Sequence, residues 1–344
     1  MLTEKQVKDI RKHLEKAQNP LFFFDNDADG LASFLLLRRY LERGKGVAIK
    51  SFPDLNASYA RKLYELNPDY VFVLDKPAIA SGFLDEVKKM NLPLVWIDHH
   101  NVPKPEDEIV YYYNPYHNDK TSEPVSYLCY KISGKKEDMW IGVIGSIGDG
   151  FFPEFAEDFA KAYPELWGEN IKTATQALYT TEIGRITRIL GFGLKDRTSK
   201  VVAMLKFLST VKGPYELLDE EKAKPILQRF NQVNSKYSRL VDKARSFVKG
   251  NMLYFQYGGD LSLSADIANE LFFLFPDKLI VVAYIKGAKA NISLRWKKDV
   301  REVTLNAIKG LEGATGGGHE HATGAQVSVE DLPKFRENLM RQIS

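Results

Sequence analysis

The 344-residue sequence has very little cysteine: Cys129 is the single one. One cysteine excludes an internal disulfide and a four-cysteine zinc site, and it fits a reducing compartment. Long apolar runs are also missing, since stretches such as LIVVAYI have the length of a strand and are too short to cross a bilayer. The N-terminus lacks a signal-peptide pattern, because MLTEKQVKDIRKHLEKAQ reads as an amphipathic charged helix. We therefore expect a cytoplasmic protein with no membrane partner.

The sequence also lacks internal repeats, low-complexity tracts and a large net charge, which is only +3. That charge is unevenly placed. Residues 185–249 hold 15 Lys and Arg against 6 Asp and Glu, a local charge of +9, so the rest of the chain carries −6. A basic segment beside an acidic part is typical of a metal site next to a polyanion-binding surface. A solvated helical surface is the alternative that composition leaves open.

Apolar strand-like segments alternate with helical patterns over the first 150 residues. The strand-like segments are PLFFF, VAIKSF, DYVFVL and LPLVWI, and the segments between them have helical periodicity. This alternation predicts βαβ units and a parallel sheet. We expect an α/β protein with a parallel-sheet domain at 1–185, a basic helical connector at 186–245 and a smaller mixed α/β domain at 246–344.

Acidic and imidazole side chains follow four of the apolar segments. Ligands in open parallel sheets gather beyond the carboxyl ends of the strands, so we expect these side chains to meet at one edge. We treat the apolar stretch MWIGVIGSIG like the strands in this respect. Carboxylates this close repel one another unless a cation neutralises them. The residues concerned are Asp25, Asp27 and Asp29 after PLFFF, Asp75 after DYVFVL, Asp98, His99 and His100 after LPLVWI, and Asp149 after MWIGVIGSIG.

These side chains can supply oxygen and nitrogen ligands for two divalent cations, with Asp75 placed to bridge them. Carboxylates mixed with histidine suit Mn²⁺, and Mg²⁺ is the harder alternative. Two such ions, about 3.5–4 Å apart, clamp the attacking and leaving oxygens of a phosphoryl displacement and lower the pKa of a bound water. Taken singly, these residues also have structural explanations that involve no metal, because Asp75 can cap a helix and Asp149-Gly150 can form a turn.

A second cluster is the glycine-rich stretch GATGGGHEHATGA at 313–325. Its three consecutive glycines, Gly316, Gly317 and Gly318, remove side chains, so that backbone N–H groups can approach an anion closely. His319 and His321 add donors to that stretch, and a plain glycine turn is the alternative. Upstream, Ser293 and Arg295 alternate on one face of the strand NISLRW and can point at the same phosphate; an exposed strand face explains them equally well.

Taken together, these motifs resemble the DHH phosphoesterases and, within them, the RecJ-like nucleases. The matching pieces are DNDADG, Asp75 after VFVL, DHH at 98–100, Asp149 in GSIGDG, and GGGHEHATGA. The last piece resembles the signature of the DHH-associated C-terminal domain, which binds substrate. The resemblance implies that two Mn²⁺ ions are bound by Asp27, Asp29, Asp75, His99 and Asp149. It also implies that His100 lies near the phosphate, and that His319 and its glycines hold the nucleic-acid end.

The sequence departs from bacterial RecJ proteins at one position. Those relatives carry a histidine four residues before the first ligand aspartate, where this chain has Phe23. Asp25 can supply the missing ligand from two residues further along. The chain also lacks room for the extra nucleic-acid-binding domain of bacterial RecJ. It is more similar to compact archaeal RecJ-like proteins, some of which associate with helicases or replication proteins.

The main expectation is a Mn²⁺-dependent exonuclease that releases mononucleotides from single-stranded DNA or RNA. The catalytic set is Asp98, His99, His100 and Asp149, and the resemblance favours 3′→5′ polarity on DNA. Two alternatives stay open. One is a phosphodiesterase or phosphatase for small substrates such as nanoRNA, a phosphorylated nucleotide or a cyclic dinucleotide. The other is a non-catalytic scaffold in replication or repair, of the kind whose relatives have lost metal ligands.

Overall fold

The fold follows the alternation of strands and helices that the sequence predicts. The computed structural model describes residues 1–51, 53–318 and 320–343. It divides into two units, Met1–Phe230 and Asn231–Ser344. The domain boundaries at residues 185 and 245, which separate the parallel-sheet domain, the basic connector and the mixed α/β domain, stay a prediction.

The first unit is built on a parallel sheet. Its described strands are β1 (Pro20–Asp25), β2 (Lys45–Ile49), β3 (Asp54–Leu55), β4 (Tyr70–Leu74), β5 (Ala78–Ile79), β6 (Leu94–Ile97) and β7 (Val110–Tyr113). The sheet has the order β2-β1-β4-β6-β7 with every described neighbour parallel, while β3 and β5 form a separate short pair. The predicted α/β class with a parallel sheet is therefore confirmed.

The three consecutive phenylalanines of β1 lie in the centre of this unit. Phe22, Phe23 and Phe24 are fully buried, and the Phe22 ring stacks on Phe72 of β4 with 5.0 Å between centroids. A strand covered on both faces reads as a continuous apolar run and not as an alternation. This is why the aromatic run continues to the point where Asp25 ends the strand.

Helices cover the sheet of the first unit and continue beyond it. One prediction is wrong here: the stretch before Asp149 forms helix α7 (Met139–Gly148) and not a strand. A short apolar run does not distinguish a buried strand from a buried helix. Gly145 explains how this helix packs, because a Cβ there would lie 2.3 Å from Ser126 Oγ. The helices are α1 (Glu4–Lys16), α2 (Ala28–Leu41), α3 (Arg61–Leu66), α4 (Ser81–Lys89), α5 (Tyr116–Asp119), α6 (Val125–Ser133), α7 (Met139–Gly148), α8 (Ala156–Ala162), α9 (Pro164–Trp167), α10 (Ala174–Thr180), α11 (Glu182–Leu194), α12 (Thr198–Leu208) and α13 (Lys224–Arg245).

The second unit is a smaller mixed α/β domain, as predicted. Its described strands are β8 (Val248–Lys249), β9 (Met252–Gly258), β10 (Leu279–Lys286), β11 (Lys289–Arg295), β12 (Thr315–Gly318) and β13 (Ala322–Ser328), and its helices after α13 are α14 (Ser264–Leu274), α15 (Val300–Ile308) and α16 (Leu332–Ile343). The sheet order is β12-β13-β11-β10-β9-β8. Strands β9 and β10 are parallel and the other described pairs are antiparallel.

The glycine-rich stretch forms strand β12 at the edge of this sheet. Gly316 and Gly317 pair with Ala325 and Gly324 of β13, so these glycines belong to a hairpin and not to a free turn. Gly318 has a φ of 137°, and a Cβ there would lie 2.6 Å from the carbonyl oxygen of Ala322. Only glycine meets both demands without strain.

Among the helices that the structure describes, none has the length and apolar character needed to cross a membrane.

Candidate metal centre

The DNDADG stretch turns from the end of β1 into the first turn of α2. Asp27 caps that helix, because its Oδ1 accepts the backbone N–H of Gly30 at 2.9 Å. A Cβ at Gly30 would lie 2.4 Å from the carbonyl oxygen of Asp25, so the absence of a side chain lets the helix start directly over the strand end. Part of the Asp27 side chain is exposed. Even so, lost hydration and then the charges of Asp25 and Asp29 raise the pKa of Asp27 to about 8.

Asp29 points into the unit from the first turn of α2 and is 2% exposed. Its two carboxylate oxygens accept the backbone N–H groups of Val125 and Ser126, each at 2.8 Å. Those donors belong to the first turn of α6, where the helix dipole favours a negative charge. Burial nevertheless raises the pKa of Asp29 above its usual range.

Asp75 follows β4 and adopts a left-handed backbone with a φ of 58°. Such a conformation is uncommon for a residue other than glycine, and it is often found at functional sites. The side chain is 2% exposed. Burial, together with the charges of Asp29 and Asp27, raises the pKa of Asp75 well above its usual range.

His99 connects the carboxylates that come from different elements. Its Nε2 lies 3.3 Å from Oδ1 of Asp75 and 3.9 Å from Oδ2 of Asp149, and the Ser122 hydroxyl lies 3.2 Å from its Nδ1. Burial lowers the pKa of His99, but the bond to Asp75 and the charge of Asp149 outweigh it and raise the pKa well above its usual value.

Asp149 follows the last residue of α7 and completes this set. Its side chain keeps more solvent contact than the Asp29 and Asp75 carboxylates, with 38% exposed. Loss of hydration raises the pKa of its carboxyl group to about 6, although the positive charge of His99 acts in the opposite direction. The structure therefore brings Asp149 to the predicted place, from the end of a helix.

Asp98 holds His100 and is itself fully buried. The Nδ1–H of His100 donates to Oδ1 of Asp98 at 2.7 Å, which leaves Nε2 of the ring as the other functional atom. The Tyr112 hydroxyl donates to Oδ2 of Asp98 at 3.2 Å, and the Asn114 amide lies 3.4 Å from the same oxygen. Burial and the Asp98 charge raise the pKa of Tyr112. Asp98 is thus an orienting residue for His100.

The side chains around these strand ends form three overlapping groups whose potential ligand atoms lie within 4.8 Å of one another. Asp75 belongs to two groups and His99 to two, so the groups make one connected centre. Carboxylate oxygens with imidazole nitrogens suit Mn²⁺ or Mg²⁺, and the crowding that raises the carboxyl pKa values is what a divalent cation relieves. The residues fit a metal centre. The groups are Asp75, His99 and His100; Asp29, His99 and Asp149; and Asp25, Asp27 and Asp75.

The sequence reasoning missed a lysine inside this centre. Lys76 directly follows Asp75 and is fully buried. Its Nζ donates to Oδ1 of Asp25 at 3.0 Å and to the carbonyl oxygen of Ser51 at 2.9 Å. The available signal was its position next to a strand-end aspartate, but a single lysine after a strand is usually a solvated residue.

Apart from His100, the predicted substrate-binding residues belong to the second unit. Ser293 and Arg295 of β11 both face α14, since the Ser293 hydroxyl donates to Ser264 Oγ at 3.0 Å and Arg295 Nε donates to Asn269 Oδ1 at 2.6 Å. They share one face, as the alternation predicts. His321 is exposed beyond β12. His319 lies outside the described residues. The substrate-binding role of this set stays a prediction.

The fold and the centre define a class: metal-dependent phosphoesterases with an N-terminal parallel-sheet domain and a second mixed α/β domain. Residues 21–144 match the family model for the DHH family, N-terminal domain, and residues 249–344 match the DHHA1 domain. The two matches cover more than half of the chain in the order that the motifs predict. The chain belongs to the DHH family, whose enzymes are metal-dependent phosphodiesterases.

Solved structures share this fold at low sequence identity. RecJ from Thermus thermophilus in complex with Mn²⁺ is 14% identical with a TM-score of 0.65, over 97% of this chain and 53% of that one. This chain thus spans about half the length of that protein. The DHH domain of a member of a family of ribosomal proteins is 14% identical with a TM-score of 0.71, over 98% and 89% of the two chains.

A third similar structure is a pGpG-specific phosphodiesterase from Vibrio cholerae, 12% identical with a TM-score of 0.52, over 95% of this chain and 99% of that one. Among curated proteins, no significant match is found. At these identities the structural likeness shows the fold alone.

Proposed function

We propose that this chain is a Mn²⁺-dependent exonuclease that hydrolyses the terminal phosphodiesters of single-stranded nucleic acid to mononucleotides. The observation that carries the proposal is the set of three ligand groups, which Asp75 and His99 connect because each of them belongs to two groups. By resemblance to compact relatives we assign a preference for DNA and 3′→5′ polarity. A helicase or replication protein as partner, a role in repair and a cytoplasmic location belong to the same proposal.

Divalent cations in such a centre supply the Lewis acidity that a phosphoryl displacement needs. The residues that would hold them are Asp27, Asp29, Asp75, His99 and Asp149, with Asp25 as a further carboxylate. His100 has a different task, because its Nδ1 proton is fixed on Asp98. One ring nitrogen of His100 lies within 4.8 Å of ligand atoms of Asp75 and His99, so the ring is close enough to the centre to contact a phosphate oxygen there. Tyr112 and Asn114 keep Asp98 oriented for this purpose.

Basic side chains in the first unit support a polyanionic substrate. Arg197, Lys200 and Lys206 are exposed, and no described carboxylate forms an ion pair with them. The segment that carries them is attached near the strand ends, since Lys50 Nζ donates to the carbonyl oxygen of Asp196 at 2.9 Å. Lys50 directly follows β2, whose last residue pairs with Asp25. The positive charge therefore begins next to the edge from which the metal-binding carboxylates emerge.

An aromatic side chain beside the centre supports a substrate that carries bases. Phe152 comes three residues after Asp149 and is 36% exposed. Its ring lies 5.8 Å from the ring of Trp167, which supports it from one side. Three residues of chain reach at most about 10 Å, a distance within which a base can stack while its phosphate is at the centre. Aromatic rings bind successive bases of single strands in this way.

A second candidate is hydrolysis of small phosphodiesters such as a cyclic or linear dinucleotide, nanoRNA or a phosphorylated nucleotide. It is favoured by the fact that the chain spans nearly the whole length of the Vibrio cholerae enzyme. A replication scaffold without activity is disfavoured, because the aspartates and histidines that the motifs predict as ligands all contribute to one centre. In either case we assign substrate binding to His100 and to 246–344, with Ser293, Arg295, Gly316, Gly317, Gly318, His319 and His321.

The test is digestion of a single-stranded oligonucleotide labelled at either end, with Mn²⁺, Mg²⁺ or EDTA. The proposal expects mononucleotides with Mn²⁺ and a ladder that shortens from the 3′ end. Cleavage of pGpG without cleavage of a longer strand would replace it with the second candidate. No hydrolysis of either substrate under any metal would contradict both.

A further inference from the structure

The buried ion pair between Lys76 and Asp25 is a feature that the proposed reaction does not use. Lys76 is fully buried, while the Asp25 side chain is 22% exposed. A buried ammonium group is strongly unfavourable unless charged or polar partners compensate it. Here the partners include Oδ1 of Asp25 at 3.0 Å and the carbonyl oxygen of Ser51 at 2.9 Å. The fold therefore places a fixed positive charge at the first carboxylate of DNDADG.

Asp25 is also a member of one of the three ligand groups, together with Asp27 and Asp75. Any cation held by this group shares the Asp25 carboxylate with the ammonium group of Lys76. The group of Asp29, His99 and Asp149 differs in this respect, because the cationic side chain near Asp149 is His99, 3.9 Å away, which is itself a potential ligand of the group. In the part of the chain that the structure describes, no lysine or arginine forms an ion pair with Asp29 or Asp149.

We infer that two of the ligand groups differ in metal affinity, because Lys76 is a built-in cation that weakens divalent-metal binding at the group of Asp25, Asp27 and Asp75 (the Asp25 group). The group of Asp29, His99 and Asp149 (the Asp29 group) is then the tighter site. This inference rests on the proposed metal centre. Its physical basis is repulsion between like charges in a site of low effective dielectric, where a charge a few ångströms away changes an affinity by more than tenfold.

The alternative role for Lys76 is to hold Asp25 in place as a ligand, which would make Lys76 favourable for metal binding. The contacts of Asp25 argue against that role. Its Oδ1 also accepts the backbone N–H of Asn26 at 2.9 Å, so the carboxylate keeps an orienting partner without the lysine. Charge repulsion is therefore the larger effect, and neutralising position 76 should strengthen the weaker site.

The experiment is a titration of the metal-free full chain with Mn²⁺ at fixed pH, followed by calorimetry and by the EPR signal of free Mn²⁺. The wild type should bind one ion tightly and a second at least tenfold more weakly. Lys76→Met fills a similar volume without charge, and it should tighten the second ion at least tenfold while it changes the first by less than threefold. Lys12→Met is the control, because it removes an exposed lysine that pairs with Asp9 in α1 and should change neither affinity.

Two equal affinities in the wild type would overturn the inference, and so would a Lys76→Met chain whose second ion binds no more tightly. If Lys76→Met fails to fold by circular dichroism, Lys76→Gln keeps a donor for the Ser51 carbonyl and serves in its place, with the same expected result. The titration of the wild type alone shows whether the two sites differ in Mn²⁺ affinity. A wild type that binds no Mn²⁺ would contradict the proposed function itself, whereas equal sites contradict only this inference.

Discussion

Nε2 of His99 lies 3.3 Å from Oδ1 of Asp75, and this contact follows from the register of the sheet. Leu74 and Ile97 are partners on neighbouring parallel strands β4 and β6. Residues shortly after these partners must therefore emerge at the same edge. Because both side chains are shared between ligand groups, the pair is the point on which the whole centre depends.

The first prediction concerns Asp75→Asn. Asparagine tolerates the left-handed backbone that Asp75 adopts, so the variant removes the charge without adding strain. We expect loss of tight Mn²⁺ binding and a fall in hydrolysis of at least about 100-fold, since weaker perturbations of metal sites already cost about 10- to 100-fold. The measurement is a Mn²⁺ titration with an activity assay. Asp107→Asn, which removes a partly exposed partner of Lys88, is the control and should behave like the wild type. Unchanged Mn²⁺ binding in Asp75→Asn would disprove the assignment.

The second prediction concerns the stability of the metal-free chain. The folded chain holds protons on Asp27 up to a pKa of about 8 and on Asp149 up to about 6, whereas unfolded aspartates release theirs at about 4. Between those values the folded state binds more protons, so the free energy of unfolding falls as pH rises. His99, whose pKa is also raised, acts in the same direction.

We therefore expect melting temperatures in EDTA to decrease from about pH 5 to about pH 8, and saturating Mn²⁺ to remove most of that decrease. Differential scanning calorimetry at several pH values is the measurement. Asp27→Asn should flatten the metal-free profile, because it removes a carboxyl group that stays protonated in the folded chain up to a pKa of about 8. A metal-free melting temperature that rises over this range would contradict the crowding of carboxylates that defines the centre.

The third prediction separates the role of Asp98 in orienting His100 from metal binding. Asp98 is outside the three ligand groups, and it holds Nδ1 of His100 at 2.7 Å. Asp98→Asn should lower kcat by about 10- to 100-fold, the usual effect of losing such a partner, while Mn²⁺ affinity at the Asp29 group changes little. Tyr112→Phe removes one hydrogen bond to Asp98 and should cause a smaller loss in kcat. Loss of Mn²⁺ binding in Asp98→Asn would instead make Asp98 part of the metal site.

The fold class and most of the centre could be predicted from the sequence because both depend on strand ends. Apolar runs identify β1, β4 and β6, and parallel pairing then brings Asp29, Asp75 and His99 to one edge without further information. Asp149 joins the same centre although the sequence pattern suggests a strand where the structure has helix α7. A buried apolar helix and a buried strand look alike over about ten residues, and either one can deliver a side chain from its end.

The parts that could not be predicted depend on long-range contacts. The run IVYYY at 109–113 is a local strand signal for β7, but nothing in that local pattern indicates that Tyr112 and Asn114 reach Asp98. Lys76 is a similar case, because its partner Asp25 lies 51 residues earlier in the chain. The assignment of Asp25 as a replacement ligand stays a prediction, and the structure adds that its carboxylate also pairs with Lys76.

The fourth prediction tests the basic segment. If a single strand binds along it, log K should fall steeply with log salt, and each phosphate contact should add about 0.7 to the slope. Lys200→Ala and Lys206→Ala, whose side chains have no described carboxylate partner, should each lower the slope by about that amount. Lys222→Ala is the matched control, because Lys222 already pairs with Glu216 at 3.2 Å. The measurement is fluorescence anisotropy from about 50 to about 200 mM salt, and a flat response would indicate that the substrate is a small phosphodiester.

The fifth prediction concerns Phe152, whose exposed ring follows Asp149 and rests against Trp167. If a base stacks on it, Phe152→Ala should weaken single-strand binding by about 1–3 kcal/mol, the usual contribution of one base–aromatic stack. Phe152→Leu keeps apolar bulk beside Trp167 but has no aromatic face, so it should resemble Phe152→Ala, whereas Phe152→Trp should retain affinity. A strand with an abasic terminal residue should bind all four chains almost equally. If Phe152→Leu instead matches the wild type on normal strands, the ring packs against Trp167 for structural reasons and does not contact the substrate.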